Sequence, residues 1–260
     1  MTYCLAIKVD SGLVFASDSR TNAGVDHVST YSKMHTFVWP DNRFFTILSA
    51  GNLATTQAVV KRLRADCDHP GAQSLCTVRD IDAAANYVGI VSTDIQRIQA
   101  QRDTLNTNFE ATFIFGGQVG DSATGIFLIY PQGNYIHESS EHPFIQVGET
   151  KYGKPILDRV IRPDVPLELA GRCALVSLNS TIRSNLTVGL PIELLLYTAN
   201  SLTPGRHLVL PDNDPFYRSL NEAWSEGLKH ALNDLPLFEW EETPQKVQVV
   251  QAATTPQQRG

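Results

Sequence analysis

Apolar and polar residues alternate from the start of the chain. Tyr3, Leu5, Ile7 and Val9 are separated by smaller or polar residues, the period of a half-buried strand. Asp10-Ser11-Gly12 is turn chemistry, with a glycine free to take positive φ. Residues 13–16 read as the return strand. Folding this hairpin about Ser11 sets Thr2 opposite Arg20, with Asp18 within diagonal reach on the same face. A terminal strand tied into a sheet is also held in place, unlike most chain ends.

After a polar connection over 21–30, alternation resumes at 33–39 and 43–50, turned by Pro40-Asp41-Asn42. Gly51 follows, and Asn52 is a good N-cap for a helix to about Cys67. A second helix is predicted over 78–102, where Ile81, Ala84, Ala85, Val88, Val91, Ile95 and Ile98 recur at helical spacing. Period two then returns at 111–115, 125–130 and 134–138, a meander with turns at Gly116-Gly117 and Pro131-Gln132-Gly133. A short strand is expected at 144–147. Helices over 151–161 and 167–185 are split by Pro163 and Pro166. Strands at 192–199 and 207–210 and a helix over 216–232 close the pattern. Strands, two helices, strands, two helices, strands: this α+β order suits two packed antiparallel sheets with helices on both outer faces.

Composition narrows the function classes. At 260 residues one large sandwich domain is expected, and 42% hydrophobic residues supply its core. A net charge of −6 argues against a general nucleic-acid binder. No stretch is apolar and long enough to span a bilayer, and the N-terminus lacks a signal-peptide pattern. Cys4, Cys67, Cys76 and Cys173 show no CxxC pair and no metal spacing, so reduced thiols in a cytoplasmic protein are expected. The sequons beginning at Asn179 and Asn185 then carry no weight. Residues 148–154 fit G-x-x-x-x-G-K, but Pro155 stands where a phosphate loop needs a hydroxyl for Mg²⁺.

The candidate chemistry lies at the start. A methionine followed by a small residue is normally trimmed, which would leave Thr2 with a free α-amine of pKa about 7.7–8.0. A threonine hydroxyl beside its own amine is a recognised activated nucleophile. Thr2-Tyr3-Cys4, the run Phe15-Ala16-Ser17-Asp18-Ser19-Arg20-Thr21-Asn22-Ala23-Gly24, Tyr31-Ser32-Lys33 and Ser49-Ala50-Gly51-Asn52 stand in an order and spacing that resemble proteasome-type β-subunits. The resemblance is to the bacterial Anbu (ancestral β-subunit) family of N-terminal nucleophile (Ntn) hydrolases. It covers almost the whole chain.

The resemblance implies a four-layer αββα sandwich over 1–235; the Pro, Gln and Thr content of the chain beyond predicts 236–260 as a tail partly ordered at Leu237-Phe238-Glu239-Trp240 and loose after it. It implies Thr2 as the nucleophile and Lys33 as the cation beside it. Asp18 would fix Lys33, and Arg20 would be a second partner to that carboxylate. The Gly51 N–H would form the oxyanion hole. Substrate-pocket positions would be Thr21, Tyr31, His35, Ser49 and Leu53. The chain departs from the proteasome pattern where the amine's support should be: Gly148-Glu149-Thr150 replaces a Gly-Ser-Gly, and Arg183-Ser184 replaces an Arg-Asp pair. That support is expected from Glu149, Ser184 and Thr187. No cofactor and no metal are implied.

Three readings stay open. One is a threonine peptidase in a ring or open spiral of like subunits. Another is an Ntn amidohydrolase of small amides. The third is a non-catalytic assembly subunit, against which Thr2 directly after Met1 speaks. The expected partners are a peptide or amide substrate and further copies of the chain, with no nucleic acid and no membrane. No ATPase-docking motif is legible.

Overall fold

The computed structural model of the chain describes residues 2–22, 28–69, 71 and 73–241. It falls into two units, residues 1–224 and 225–260.

The first unit is built on two five-stranded antiparallel sheets. One has the order β10-β1-β2-β11-β12, from β1 (Tyr3–Val9), β2 (Gly12–Asp18), β10 (Phe144–Gly148), β11 (Ile192–Thr198) and β12 (Arg206–Leu210). The other has the order β5-β6-β7-β8-β9, from β5 (Met34–Trp39), β6 (Arg43–Gly51), β7 (Ala111–Val119), β8 (Gly125–Ile129) and β9 (Tyr135–His137). Strand alternation gives each sheet two apolar faces. Cys4, Ala6, Leu13 and Phe15 of the first sheet meet Phe44, Leu48, Ile114 and Ile126 of the second. Phe44 and Tyr197 stack across this seam, ring centroids 4.0 Å apart. The opposite faces are covered by helices. Tyr3, Leu5, Ile7 and Val14 pack under α3 (Lys154–Val160) and α4 (Leu167–Ser184), and Phe45, Ile47, Phe113 and Phe115 under α1 (Leu53–Cys67) and α2 (Ile81–Arg102). The result is the expected αββα sandwich.

Four details depart from the sequence expectations. The first hairpin pairs Val9 with Gly12 and Cys4 with Ser17, so its turn is Asp10-Ser11 and, continued two steps, Thr2 faces Ser19 rather than Arg20. Gly12 belongs to the strand because a Cβ there would sit 2.0 Å from the Tyr197 carbonyl oxygen of β11. Gly116-Gly117 is not a turn but lies inside β7, where Gly116 passes under the Phe15 ring; the chain reverses after Val119. The polar connection contains a two-stranded ribbon, β3 (Arg20–Asn22) with β4 (Val28–Thr30). Lys151, Tyr152 and Gly153 form a turn, and α3 starts at Lys154.

The first unit ends inside α5 (Pro215–Asn233). In the second unit the Phe238 and Trp240 rings stack at 4.8 Å, and Glu241 N–H donates to the Phe238 carbonyl at 3.0 Å. The tail beyond Glu241 lies outside the described residues.

Candidate active site

The start of β1 is clamped on three sides. Tyr3 N–H donates to Asp18 Oδ1 at 3.1 Å. The Tyr3 hydroxyl shares a 2.7 Å hydrogen bond with Ser177 of α4 and accepts from Gln146 of β10, and burial pushes its pKa up to about 12. The carbonyl of Thr2 accepts the Glu149 N–H at 2.8 Å. Gly148, at φ +87°, makes that approach possible, since a Cβ there would lie 1.9 Å from the Thr2 carbonyl oxygen. Thr2 is thus half-buried and fixed, just ahead of the sheet.

Beside it lies a buried ion pair. Lys33 Nζ donates to Asp18 Oδ1 at 2.6 Å and to the Arg20 carbonyl at 2.7 Å. Asp18 is fully buried, and Lys33 is 6% exposed. Gly189 N–H donates to Asp18 Oδ2 at 3.2 Å. Burial pushes the Asp18 carboxyl above the usual carboxylate range, and the Lys33 charge and the two backbone donors pull against it. Such a pair survives burial only because its remaining hydrogen-bonding capacity is filled. Ser49 N–H holds the Lys33 carbonyl at 3.0 Å, extending the β5–β6 ladder by one residue.

Arg20 does not join Asp18 in the way expected. Its carbonyl serves Lys33, but its guanidinium donates to the Leu186 carbonyl at 2.6 Å and lies over Gly189. The fit over Gly189 leaves no room for a side chain, since a Cβ would sit 2.4 Å from the guanidinium carbon.

Thr2 opens into a cavity of about 310 Å³ shared with Arg20, Thr21, Lys33, Ser49, Ala50, Gly51, Leu53, Thr56 and Gly148. Gly51 ends β6 at φ +106°, and a Cβ would lie 2.4 Å from the Glu110 carbonyl. Asn52 then caps α1, accepting the Thr55 N–H at 3.1 Å. The positive end of α1 therefore stands at the cavity. Thr21, Ser49 and Leu53 are among its lining residues. Tyr31 and His35 are not among its lining residues. Tyr31 is 42% exposed, and its N–H donates to the Ser19 carbonyl. His35 shares its strand face with Phe37, towards α1. Burial, together with the Arg64 charge, lowers its pKa to about 4.

The supporting residues come together in part. Glu149 is buried and accepts from Asn185 Nδ2 at 2.8 Å. Asn185 Oδ1 accepts Thr187 N–H at 2.9 Å and Thr187 Oγ at 2.6 Å. Ser184 is exposed at the end of α4. Asn185, Gly148, Gly189 and Thr56 were not singled out for the site from the sequence. For Asn185 a signal existed: Asn followed two residues later by Thr, just after a helix, is an Asx-turn pattern as well as a sequon. The phosphate-loop look-alike is occupied by packing, with Gly148 on Thr2 and Gly153 on Ser177. Among the described residues no three His, Cys, Asp or Glu side chains converge to hold a metal ion.

The arrangement sets the hydroxyl-bearing Thr2, a buried ammonium and a glycine at a helix start around one small cavity. A profile of the proteasome subunit family matches residues 2–195. Nothing among curated proteins matches significantly. Among solved structures, Anbu (ancestral β-subunit) from Yersinia bercovieri is 40% identical over 92% of this chain and 100% of its own, with a TM-score of 0.86. A helical assembly of the Anbu complex from Pseudomonas aeruginosa is 43% identical over 90% of this chain and 97% of its own, at 0.86. Anbu from Hyphomicrobium sp. strain MC1 is 40% identical over 91% and 99%, at 0.82.

Proposed function

The chain belongs to the proteasome subunit family, in its Anbu branch, and from that premise we propose that it is an N-terminal threonine hydrolase of peptides or amides. The observation that carries the reading is one shared cavity: Thr2 lines it together with Lys33 and Gly51. Removal of Met1 frees the Thr2 amine. That amine takes the proton from Thr2 Oγ as the oxygen attacks the substrate carbonyl. The buried Lys33 ammonium favours the oxygen nucleophile electrostatically. The developing oxyanion is taken by the Gly51 N–H, with the α1 terminus adding positive potential. The carbon–nitrogen bond breaks as the protonated amine hands its proton to the leaving nitrogen. Water then attacks the resulting ester on Thr2, with the amine again as base, and releases the acid.

Asp18 holds Lys33, and Arg20 braces the loop beside it. Thr21, Ser49 and Leu53 are the substrate-facing positions this reading assigns. Self-association into a ring or open spiral is part of the reading, supported by the helical assembly of the Pseudomonas aeruginosa relative. Among the described residues no helix is long and apolar enough to cross a membrane.

Labelling with an epoxyketone or β-lactone tests the reading. A single adduct on Thr2 is expected in the wild type and none in Thr2→Ala. Intact mass spectrometry checks that Met1 is gone. A trimmed wild type that takes no adduct would favour a non-catalytic assembly subunit. An adduct without any peptide cleavage would favour a small-amide substrate.

A further inference from the structure

The hold on Thr2 depends on a loop, and something must hold the loop. Gly148 and Glu149 grip the Thr2 carbonyl through backbone alone. The Glu149 side chain beside that grip is a carboxylate on a residue only 8% exposed. A carboxylate out of water must be hydrogen-bonded. Its inner oxygen, Oε2, accepts from Asn185 Nδ2 at 2.8 Å, and Lys151 stands 3.5 Å from the other.

We infer that Asn185 is a positioning residue for the nucleophile, tying the end of α4 through Glu149 to the carbonyl of Thr2. The inference rests on the hydrolase reading for its catalytic consequence, but the mechanical link stands apart from it. Asn185 is fixed from its own side. Its N–H donates to Thr181 in the last turn of α4 at 2.9 Å, and its Oδ1 is filled by two donors of Thr187. With Oδ1 so occupied, the amide has one orientation, and Nδ2 faces Glu149. Only a side chain with a donor and an acceptor on one short stem serves both neighbours. An aspartate in its place would set two carboxylates against each other. Alanine would leave Glu149 with a buried lone pair unpaired.

Two variants test the link, and each has its own readout. In Asn185→Ala, the Glu149 amide is expected to exchange its hydrogen about ten-fold faster than in the wild type, with the amides of β1 unchanged. The acylation rate of Thr2 at saturating epoxyketone is expected to fall about ten-fold at about pH 8, with the half-saturating concentration within about two-fold, because placement rather than binding is lost. In Asn185→Asp the same losses are expected at about pH 8. As pH falls towards about 5.5, the new carboxyl gains a proton held between it and Glu149 and donates to that neighbour, so its rate relative to wild type climbs back. The Asn185→Ala ratio stays flat. The charged groups around this point are Glu149 and Lys151 after β10, Asp18 of β2, Arg20 of β3, Lys33 before β5 and Arg183 in the last turn of α4. All but Glu149, the direct partner of position 185, keep the same surroundings in the three proteins and cancel in the ratio.

Unchanged exchange at Glu149 in both variants would overturn the inference, as would parallel pH ratios. If Asn185→Ala does not fold, return of Glu149 protection in Asn185→Asp at low pH, against wild type at the same pH, decides the matter. A wild type that takes no adduct at Thr2 would sink the hydrolase reading and leave the exchange arm intact.

Discussion

The two walls of the cavity are built by different means. One wall comes from Lys33, the end of β6 and the start of α1, with Asp18 of β2 behind it. Lys33 and Ser49 are neighbours in one sheet's ladder, and a buried charge pair, Lys33 Nζ on Asp18 at 2.6 Å, ties them to β2 of the other sheet. The other wall is Gly148, backed by Glu149 and, behind it, the segment after α4. Its parts are loops that meet across 36 residues of sequence, through the hydrogen bond from Asn185 to Glu149. The first wall is fixed by strand register and has little freedom to vary without losing the fold. The second is fixed by side chains, and that is where the chain departs from the proteasome pattern.

Breaking the first wall should have the largest effect. Lys33→Met is expected to reduce acylation of Thr2 by about 10³-fold or more, and to cost about 3–5 kcal/mol of stability, because Asp18 is left as an uncompensated buried charge. Denaturant midpoints and labelling rates measure the two losses. The comparison sharpens with Lys33→Met combined with Asp18→Asn. Stability should largely return, because no charge is then stranded, while acylation stays lost. If acylation survives Lys33→Met in a folded protein, the lysine has no part in the chemistry.

Gly51→Ala comes next. At φ +106° any side chain is strained, and the Cβ would press on the Glu110 carbonyl from 2.4 Å. The peptide must turn, and its N–H with it. Loss of such a donor typically lowers kcat about 10²–10³-fold. The expected pattern is a lowered maximal rate of peptide turnover with a melting temperature only a few degrees down. A rate within about two-fold of wild type would place the oxyanion elsewhere.

The same contrast explains what could be read from residues alone. The first wall was legible because alternation and the Asn52 cap are local signals, and the family resemblance supplied Lys33. One slip there came from Gly12, which turn chemistry claims for the bend but which close packing against Tyr197 keeps in the strand. The ribbon of β3 and β4 escaped because three-residue polar strands have no period to detect. Gly116-Gly117 reads as a turn, and only the Phe15 ring above it shows why glycine is needed inside β7. The second wall was half legible. Glu149 and Thr187 are conspicuous by their place in the pattern, but the residue that joins them is identified only by a partner 36 positions away.

A third prediction concerns His35, which hangs on the outer side of the first wall. Burial, aided by Arg64, lowers its pKa to about 4 from an ordinary value near 6.5. A depressed value means the folded state prefers the neutral ring. Its contribution is fully present above about pH 6.5 and is lost as pH falls towards 4. The whole effect is at most about 3 kcal/mol. In His35→Gln, the fall in stability between about pH 6.5 and 4 should be shallower than in the wild type. Parallel curves would show that the ring is free to take its proton in the folded state. Because His35 is not among the cavity's lining residues, maximal rates should change little.

The smallest effect is expected from Ser184, and it separates the second wall from the pattern it replaces. Position alone would give this residue a part in supporting the Thr2 amine. It is instead exposed at the end of α4, while the next residue, Asn185, reaches Glu149. Ser184→Ala should therefore change stability by less than about 0.5 kcal/mol and acylation by less than about two-fold, as for other exposed sites. A ten-fold loss of acylation with stability intact would mean that the hydroxyl turns inward when the amine is freed. The two walls would then be more alike than their hydrogen bonds imply.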